Sequence, residues 1–450
     1  MVSMVCTPKR QWLPGSVKVF WTSVLLLAAF MGVSAPGAAQ SLYFPPTVES
    51  AWDTQSPAAL QWCTSEIPAL NSYLNQTNSK GFIVLKDGKI VLEQYFDGFT
   101  ADSVWYWASA GKSLTAFLIG IAKAEGLLSL QDSSSKYLGN GWTSAPANKE
   151  GLIKVVHQLS MTSGLNDATG NADCTDDSCL LYLQDAGTRW AYHNAPYTLL
   201  DEVIRSATGV SNNMDVQQKL RPSTGFNGLF LPIGYNQVFF STPRMMARFG
   251  LLMLNQGKWN TTTVLNDTAY FRQMVNSSQA LNPAYGYLWW LNGKSSYKLP
   301  QTQFTFPGPL LPNAPMDTYS AMGRDGQLIM VSPSQNLVVV RVGDNPNTGL
   351  VPTFYADTLW QYLQAVICTP ISVAEKRLQV QPQVYPNPFS STLSLTEALP
   401  NAVYTLYDLA GRIHVQSMTL PLHTSQIAPG LYFLETKTSG IYHRQKVIKQ

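Results

Sequence analysis

Three stretches of this chain carry side chains that could do chemistry together. In Trp105-Tyr-Trp-Ala-Ser109-Ala-Gly-Lys112 a hydroxyl and an amine lie three residues apart, about one turn on the same side of a helix. An acyl-transfer nucleophile needs such a nearby base, and the N–H groups of a helix start favour the oxyanion that forms. Gly187-Thr-Arg-Trp-Ala-Tyr192-His-Asn194 offers a phenol and an amide two residues apart, which extended backbone points to one cleft wall. Ala321-Met-Gly323-Arg324-Asp-Gly326 runs into a β-branched segment, where glycines let backbone approach a ligand closely. Each stretch also has an ordinary reading: an N-cap serine beside a surface lysine, a core tyrosine, a hairpin turn.

Spacing does not separate these readings, because Ser133-Ser-Ser-Lys136 and Ser295-Ser-Tyr-Lys298 repeat it. Context does. Behind Ser109, residues Leu114, Phe117, Leu118, Ile121 and Ala122 recur at spacings of three and four, the pattern of a helix with a buried face. Ser133 stands in a polar run and Ser295 in a Gly- and Pro-flanked turn, so both are expected in solvated loops.

The elements that must position Ser109 follow from the same reasoning. Gly81 to Phe96 forms two β-branched runs joined through Asp87-Gly88, a hairpin signal. Helices and loops are expected from about 113 to 275, including a helix over 243–254. Strands return at 285–291, 327–331 and 337–342, and a helix over 354–367 closes the domain. Strands, many helices, strands and a helix in that order predict an α+β fold. Its antiparallel sheet has its first and last strands as neighbours, with a helical region inserted between them. The Ser109 helix then lies at the junction of the two halves, where clefts form.

A formal charge of +3 over 450 residues gives no footprint for nucleic acid. Lys9, Arg10 and Lys18, the apolar run Val24 to Val33 and small residues up to Gln40 predict a cleaved signal peptide over 1–40. The apolar run is short for a bilayer span, and no transmembrane anchor is expected in the mature chain. The mature chain then keeps Cys63, Cys174, Cys179 and Cys368, an even number in an exported protein. Of three connectivities, the hypothesis is Cys174 with Cys179 and Cys63 with Cys368. No Cys-x-x-Cys or paired-His spacing accompanies them, so no metal site is expected.

Taken in order, Ser109-Ala-Gly-Lys112, Tyr192-His-Asn194 and Ala321-Met-Gly323 resemble the three motifs of the serine β-lactamase and penicillin-binding-protein superfamily. The likeness covers roughly residues 80–367 and points to the class C-like branch, with its esterases, D-aminopeptidases and 6-aminohexanoate-dimer hydrolase. It implies Ser109 as the acylated nucleophile, with Lys112 and Tyr192 sharing the proton transfers. Asn194 would orient Lys112 or the substrate amide, and the oxyanion would lie between the N–H groups of Ser109 and Arg324, beside Gly323. No cofactor is implied. Ala321 stands where β-lactamases and cell-wall enzymes carry a Lys or His that binds a substrate carboxylate. The resemblance therefore leans toward a small amide, ester or peptide substrate. Alternatives are a β-lactamase or D-amino-acid peptidase, or a non-catalytic surface binding protein.

Beyond a polar linker over 371–384, residues 385–450 alternate in short segments that predict a small all-β sandwich. Val384-Tyr-Pro-Asn-Pro-Phe389, Leu406-Tyr-Asp-Leu-Ala-Gly-Arg412, Leu431-Tyr-Phe-Leu434 and the basic end Lys446-Val-Ile-Lys449 resemble a type IX secretion sorting domain. That implies the type IX machinery as partner and export through the periplasm and outer membrane of a Gram-negative cell. The hydrolase domain is accordingly expected over 41–370.

Overall fold

The computed structural model describes residues 42–48, 51–345, 349–368, 382–399, 401–409, 411–438 and 441–450. The signal-peptide segment and residues 371–381 of the linker lie outside the described residues. Nine strands matter for the site: β1 (Ser79–Lys86), β2 (Lys89–Tyr95), β3 (Trp105–Tyr106), β4 (Leu229–Ile233), β5 (Asn236–Ser241), β6 (Trp290–Leu291), β7 (Tyr319–Gly323), β8 (Gln327–Ser332) and β9 (Leu337–Gly343). Four helices accompany them: α1 (Gly111–Ala124), α2 (Leu200–Thr208), α3 (Pro243–Leu254) and α4 (Thr353–Ile367).

The main sheet runs β2-β1-β9-β8-β7-β6. Asp87 and Gly88 join β1 to β2 with φ of 51° and 84°, the two positive values that a type I′ turn requires. On its other edge β1 pairs antiparallel with β9, so the first and last parts of this fold are neighbours, as the order of segments predicts. Val338, Val339 and Val340 are fully buried because helices cover the sheet. A Cβ on Gly250 of α3 would lie 2.4 Å from a Val338 methyl, so only glycine admits that approach. Trp360 of α4 reaches Met330 Sδ at 3.2 Å. Cys63 is bonded to Cys368, tying the residues before β1 to the end of α4, and Cys174 is bonded to Cys179.

Two expectations change. The region expected to be helical contains the β4–β5 hairpin, and β3 pairs with β5 to make a second, three-stranded sheet. Gly234, at φ 59°, turns the hairpin, and Phe230 faces Phe239 across it. The strand expected over 285–291 shortens to β6, because Leu288 has φ 59° and breaks the extension.

The C-terminal residues form separate sheets. One has three strands (Val384–Tyr385, Thr392–Leu395, Leu422–His423) and one has four (Ile413–Ser417, Val403–Asp408, Gly430–Thr438, Ile441–Lys449). They share a core of their own that includes Phe389, Leu393, Tyr404, Leu406 and Leu434. This part meets the main body at Arg444, which donates to Tyr297 Oη and to Pro307 O at 2.9 Å. Phe433 also stacks on Phe354 at 5.0 Å.

Candidate active site

Ser109 sits in a short 3-10 turn, Ala108–Ala110, that feeds directly into α1. The turn is held from the front. Trp107, fully buried, donates its backbone N–H to Phe239 O and its indole N–H to Ser241 Oγ, both at 2.8 Å. Ala108 has φ 47°, a left-handed backbone that costs an alanine about 1–2 kcal/mol and that neighbouring packing must offset. From behind, α1 is buried from Gly111 to Ala122. Truncating Trp107 to alanine should cost about 3–5 kcal/mol.

Lys112 is 4% exposed, and its Nζ lies 3.1 Å from Ser109 Oγ. It rests 4.2 Å from the centre of the Tyr197 ring and 5.3 Å from that of Tyr192. Burial lowers its pKa to about 7, against the pull of the carboxylates of Asp173 and Asp201 toward the charged form. Near neutral pH a large share of Lys112 is therefore uncharged, with a lone pair to receive the serine proton. Asp201, on α2, accepts from Asn212 Nδ2 at 2.6 Å, and burial raises its pKa.

Tyr192 is buried, and burial raises its pKa while a hydrogen-bonding interaction with Ser109 lowers it. Its ring stacks on Trp290 at 5.7 Å. Backbone at His193 is extended (φ −114°, ψ 115°) and Asn194 begins a short helix, Asn194–Thr198. Asn194 makes no hydrogen bond to Lys112: its Nδ2 donates to Asp173 Oδ1 at 2.6 Å, and its buried Oδ1 has no hydrogen-bond partner. Burial lowers the pKa of His193 to about 4, which keeps it neutral.

The third wall is the end of β7. A Cβ on Gly323 would lie 2.3 Å from Trp107 O and 3.0 Å from Ala110 N, so the sheet edge rests directly on the Ser109 turn. Arg341, fully buried, fixes the turn that follows by donating to Asp325 O at 2.6 Å and Gly326 O at 3.1 Å. The Arg324 side chain is 66% exposed and lies 3.5 Å from the Asp325 carboxylate. Ala321 is buried and offers no polar group.

Comparison with known proteins gives the family and the fold. Residues 74–347 match the family model Beta-lactamase, more than half of the chain. This protein belongs to the Beta-lactamase family. Residues 383–450 match the secretion system C-terminal sorting domain, which marks the chain for type IX secretion and export. Among solved structures, a proposed 6-aminohexanoate-dimer hydrolase of Bacillus anthracis superposes with a TM-score of 0.55 at 18% identity, over 72% of this chain and 89% of that one. A proposed β-lactamase of Bacteroides dorei gives 0.54 at 16%, over 68% and 98%. An uncharacterised protein of Alkalihalophilus pseudofirmus is 24% identical over 60% of this chain and 85% of its own length. These likenesses give the β-lactamase/transpeptidase-like fold. Among the described residues, no helix is long and apolar enough to cross a membrane.

The fold brings Ser109, Lys112, Tyr192 and Gly323 to one place and sets Asn194 beside Asp173. Sequence reasoning missed Asp173, Tyr197 and Asp201. Only weak signals existed for them: an acid directly before a cysteine, a second tyrosine after Asn194, and an acid beside the apolar positions Leu200, Val203 and Ile204. Cys174, Asp176 and Cys179 cluster, but a disulfide occupies both sulfurs.

Proposed function

We propose that this protein is an exported serine hydrolase that cleaves an amide or ester through an acyl-enzyme on Ser109. The observation that carries the reading is the buried Lys112 amine 3.1 Å from Ser109 Oγ, with its pKa brought down to about 7. Neutral Lys112 takes the proton as Oγ attacks the carbonyl carbon. The N–H groups of Ser109 and Arg324 hold the oxyanion. Tyr192 passes a proton to the leaving group, and water then releases the acyl chain. Residues 41–370 would form the hydrolase domain, and 385–450, beyond the linker 371–384, the sorting domain. A fluorophosphonate probe tests the reading. Labelling of the full chain and its loss in Ser109→Ala support it, and Ser109-independent labelling or none favours a non-catalytic binding protein.

β-Lactam or D-peptide hydrolysis is the weaker reading. Those substrates bring a carboxylate, and here Ala321 supplies no cation while Arg324 is mostly exposed beside Asp325. Parallel assays with nitrocefin and short p-nitrophenyl esters separate the two. Fast nitrocefin turnover without esterase activity would reverse the preference.

A further inference from the structure

A small hairpin stands between the main body and the C-terminal sheets. Its strands, Ser296–Tyr297 and Phe306–Pro307, pair over two residues each. So short a ladder does not hold itself together in water, and its support comes from what packs on it. The main body ties it at Lys298, whose N–H donates to Asn282 Oδ1 at 3.0 Å and whose carbonyl accepts from Asn282 Nδ2 at 3.2 Å. The C-terminal segment holds both strands. Arg444 Nη2 donates to Pro307 O at 2.9 Å and Nη1 donates to Tyr297 Oη, so one guanidinium bridges them. Its Nε donates to Glu435 Oε2 at 2.6 Å, and the two side chains are 13% and 5% exposed. Paired and largely buried, Arg444 is a fixed anchor, and losing it would strand the Glu435 charge. Beyond it, Phe304 lies 6.1 Å from the Tyr407 ring, and a Cβ on Gly411 would fall 2.0 Å from Phe304, so that ring rests on bare backbone.

The other side of the same hairpin reaches the active site. Gln303, in the loop between its strands, donates from Nε2 to Trp190 O at 3.0 Å. Trp190 is fully buried just before Tyr192, and its ring meets Trp290 edge-on at 6.1 Å. Tyr192 stacks on the same Trp290 at 5.7 Å, and Lys112 Nζ lies 5.3 Å from the Tyr192 ring. Direct contacts thus run from Arg444 through the hairpin to Tyr192.

We infer that the docked C-terminal segment is a conformational support of the active-site wall as well as an export signal. It clamps the 296–307 hairpin through Arg444, and the hairpin fixes the backbone at Trp190 and with it the Tyr192 ring. Arg444 and Gln303 are positioning residues, since neither touches the reacting groups. Losing the C-terminal segment then slackens this wall, so the chain with it and the chain without it differ at the same site. Only the effect on turnover rests on the serine-hydrolase reading above. The packing itself does not.

Hydrogen exchange of the full chain, read by mass spectrometry, tests this without reference to turnover. In Arg444→Ala, peptides covering 296–307 and 188–194 should exchange faster by roughly twofold to thirtyfold, while those of β1 and β9 stay protected. Arg444→Lys keeps a charge beside Glu435 but cannot bridge both strands, so it should give a smaller rise in the same two regions. Gln303→Ala should speed exchange over 188–194 alone. Unchanged exchange over 188–194 in Arg444→Ala overturns the inference, whether or not the C-terminal segment stays folded, and so does loosening spread equally to β1 and β9. For turnover, Arg444→Ala should lower kcat/KM more on a phenyl ester than on the p-nitrophenyl ester of the same acid, because the poorer leaving group depends more on the Tyr192 proton. An equal loss on both esters also counts against the inference. If no ester turns over but the exchange response appears, the hydrolase reading fails and the support role stands. Active enzyme with no exchange response rejects the support role and leaves the hydrolase reading intact.

Discussion

In Ser109-Ala-Gly-Lys112 the lysine is buried between two tyrosine rings, whereas in Ser133-Ser-Ser-Lys136 the lysine side chain is 58% exposed and pairs with Asp132 at 2.7 Å. The spacing is the same, and the chemistry is opposite. Desolvation lowers the pKa of Lys112 to about 7 and frees its lone pair, while the hydrogen bond to Asp132 raises that of Lys136 and keeps it protonated. A serine three residues before a lysine becomes a nucleophile only where the surroundings strip water from the amine.

The comparison can be broken or sharpened by experiment. The largest effect expected is on hydrolysis: Ser109→Ala should lower kcat by on the order of 10⁴–10⁶. Equal loss in Ser133→Ala would erase the distinction. Tyr192→Phe should cost roughly 10²–10⁴ in kcat, and a variant as active as the parent would remove Tyr192 from proton transfer. The pH dependence comes next. In the proposed mechanism only neutral Lys112 serves as base, so kcat/KM should rise through about pH 7 and fall roughly tenfold per unit below it. Asp201→Asn removes a carboxylate that favours charged Lys112, so the acid limb should move to lower pH.

Stability should show the same asymmetry. Lys112 has its pKa lowered from 10.5 to about 7 in the folded state, so between those values the unfolded chain binds more protons. The cost to stability is therefore full below about pH 7 and relieved as pH rises toward 10.5. Lys112→Met should abolish activity and raise stability at pH 6–7 by roughly 0.5–2 kcal/mol, with the gain vanishing by pH 10 in thermal unfolding. Lys136→Ala should leave both kcat/KM and Tm unchanged within error, since an exposed ion pair contributes little.

How much of the site was legible depends on the kind of signal. The hairpin through Asp87-Gly88 and the helix behind Ser109 were legible because both rest on local rules: positive φ at two turn residues, and apolar residues at helical spacing. The β4–β5 hairpin was not, because its short run with Pro232 and Gly234 reads as loop until β3 pairs with it. Asn194 was expected to orient Lys112 or the substrate amide; its hydrogen bond to Asp173 was not legible, since alternation along a strand says nothing of the helix that starts there or of Asp173 opposite.

The sequence by itself determined the ordered set Ser109, Lys112, Tyr192 and Gly323, the separate texture of the C-terminal segment and the absence of a cation at Ala321. These are matters of residue type and order along the chain. Tertiary structure alone decided that Lys112 is dry, that Gly323 rests on the Ser109 turn and that Asp173 stands fixed beside Asn194. Burial, close approach and electrostatic coupling belong to pairs of residues far apart in the chain, and only the packed fold brings those pairs together.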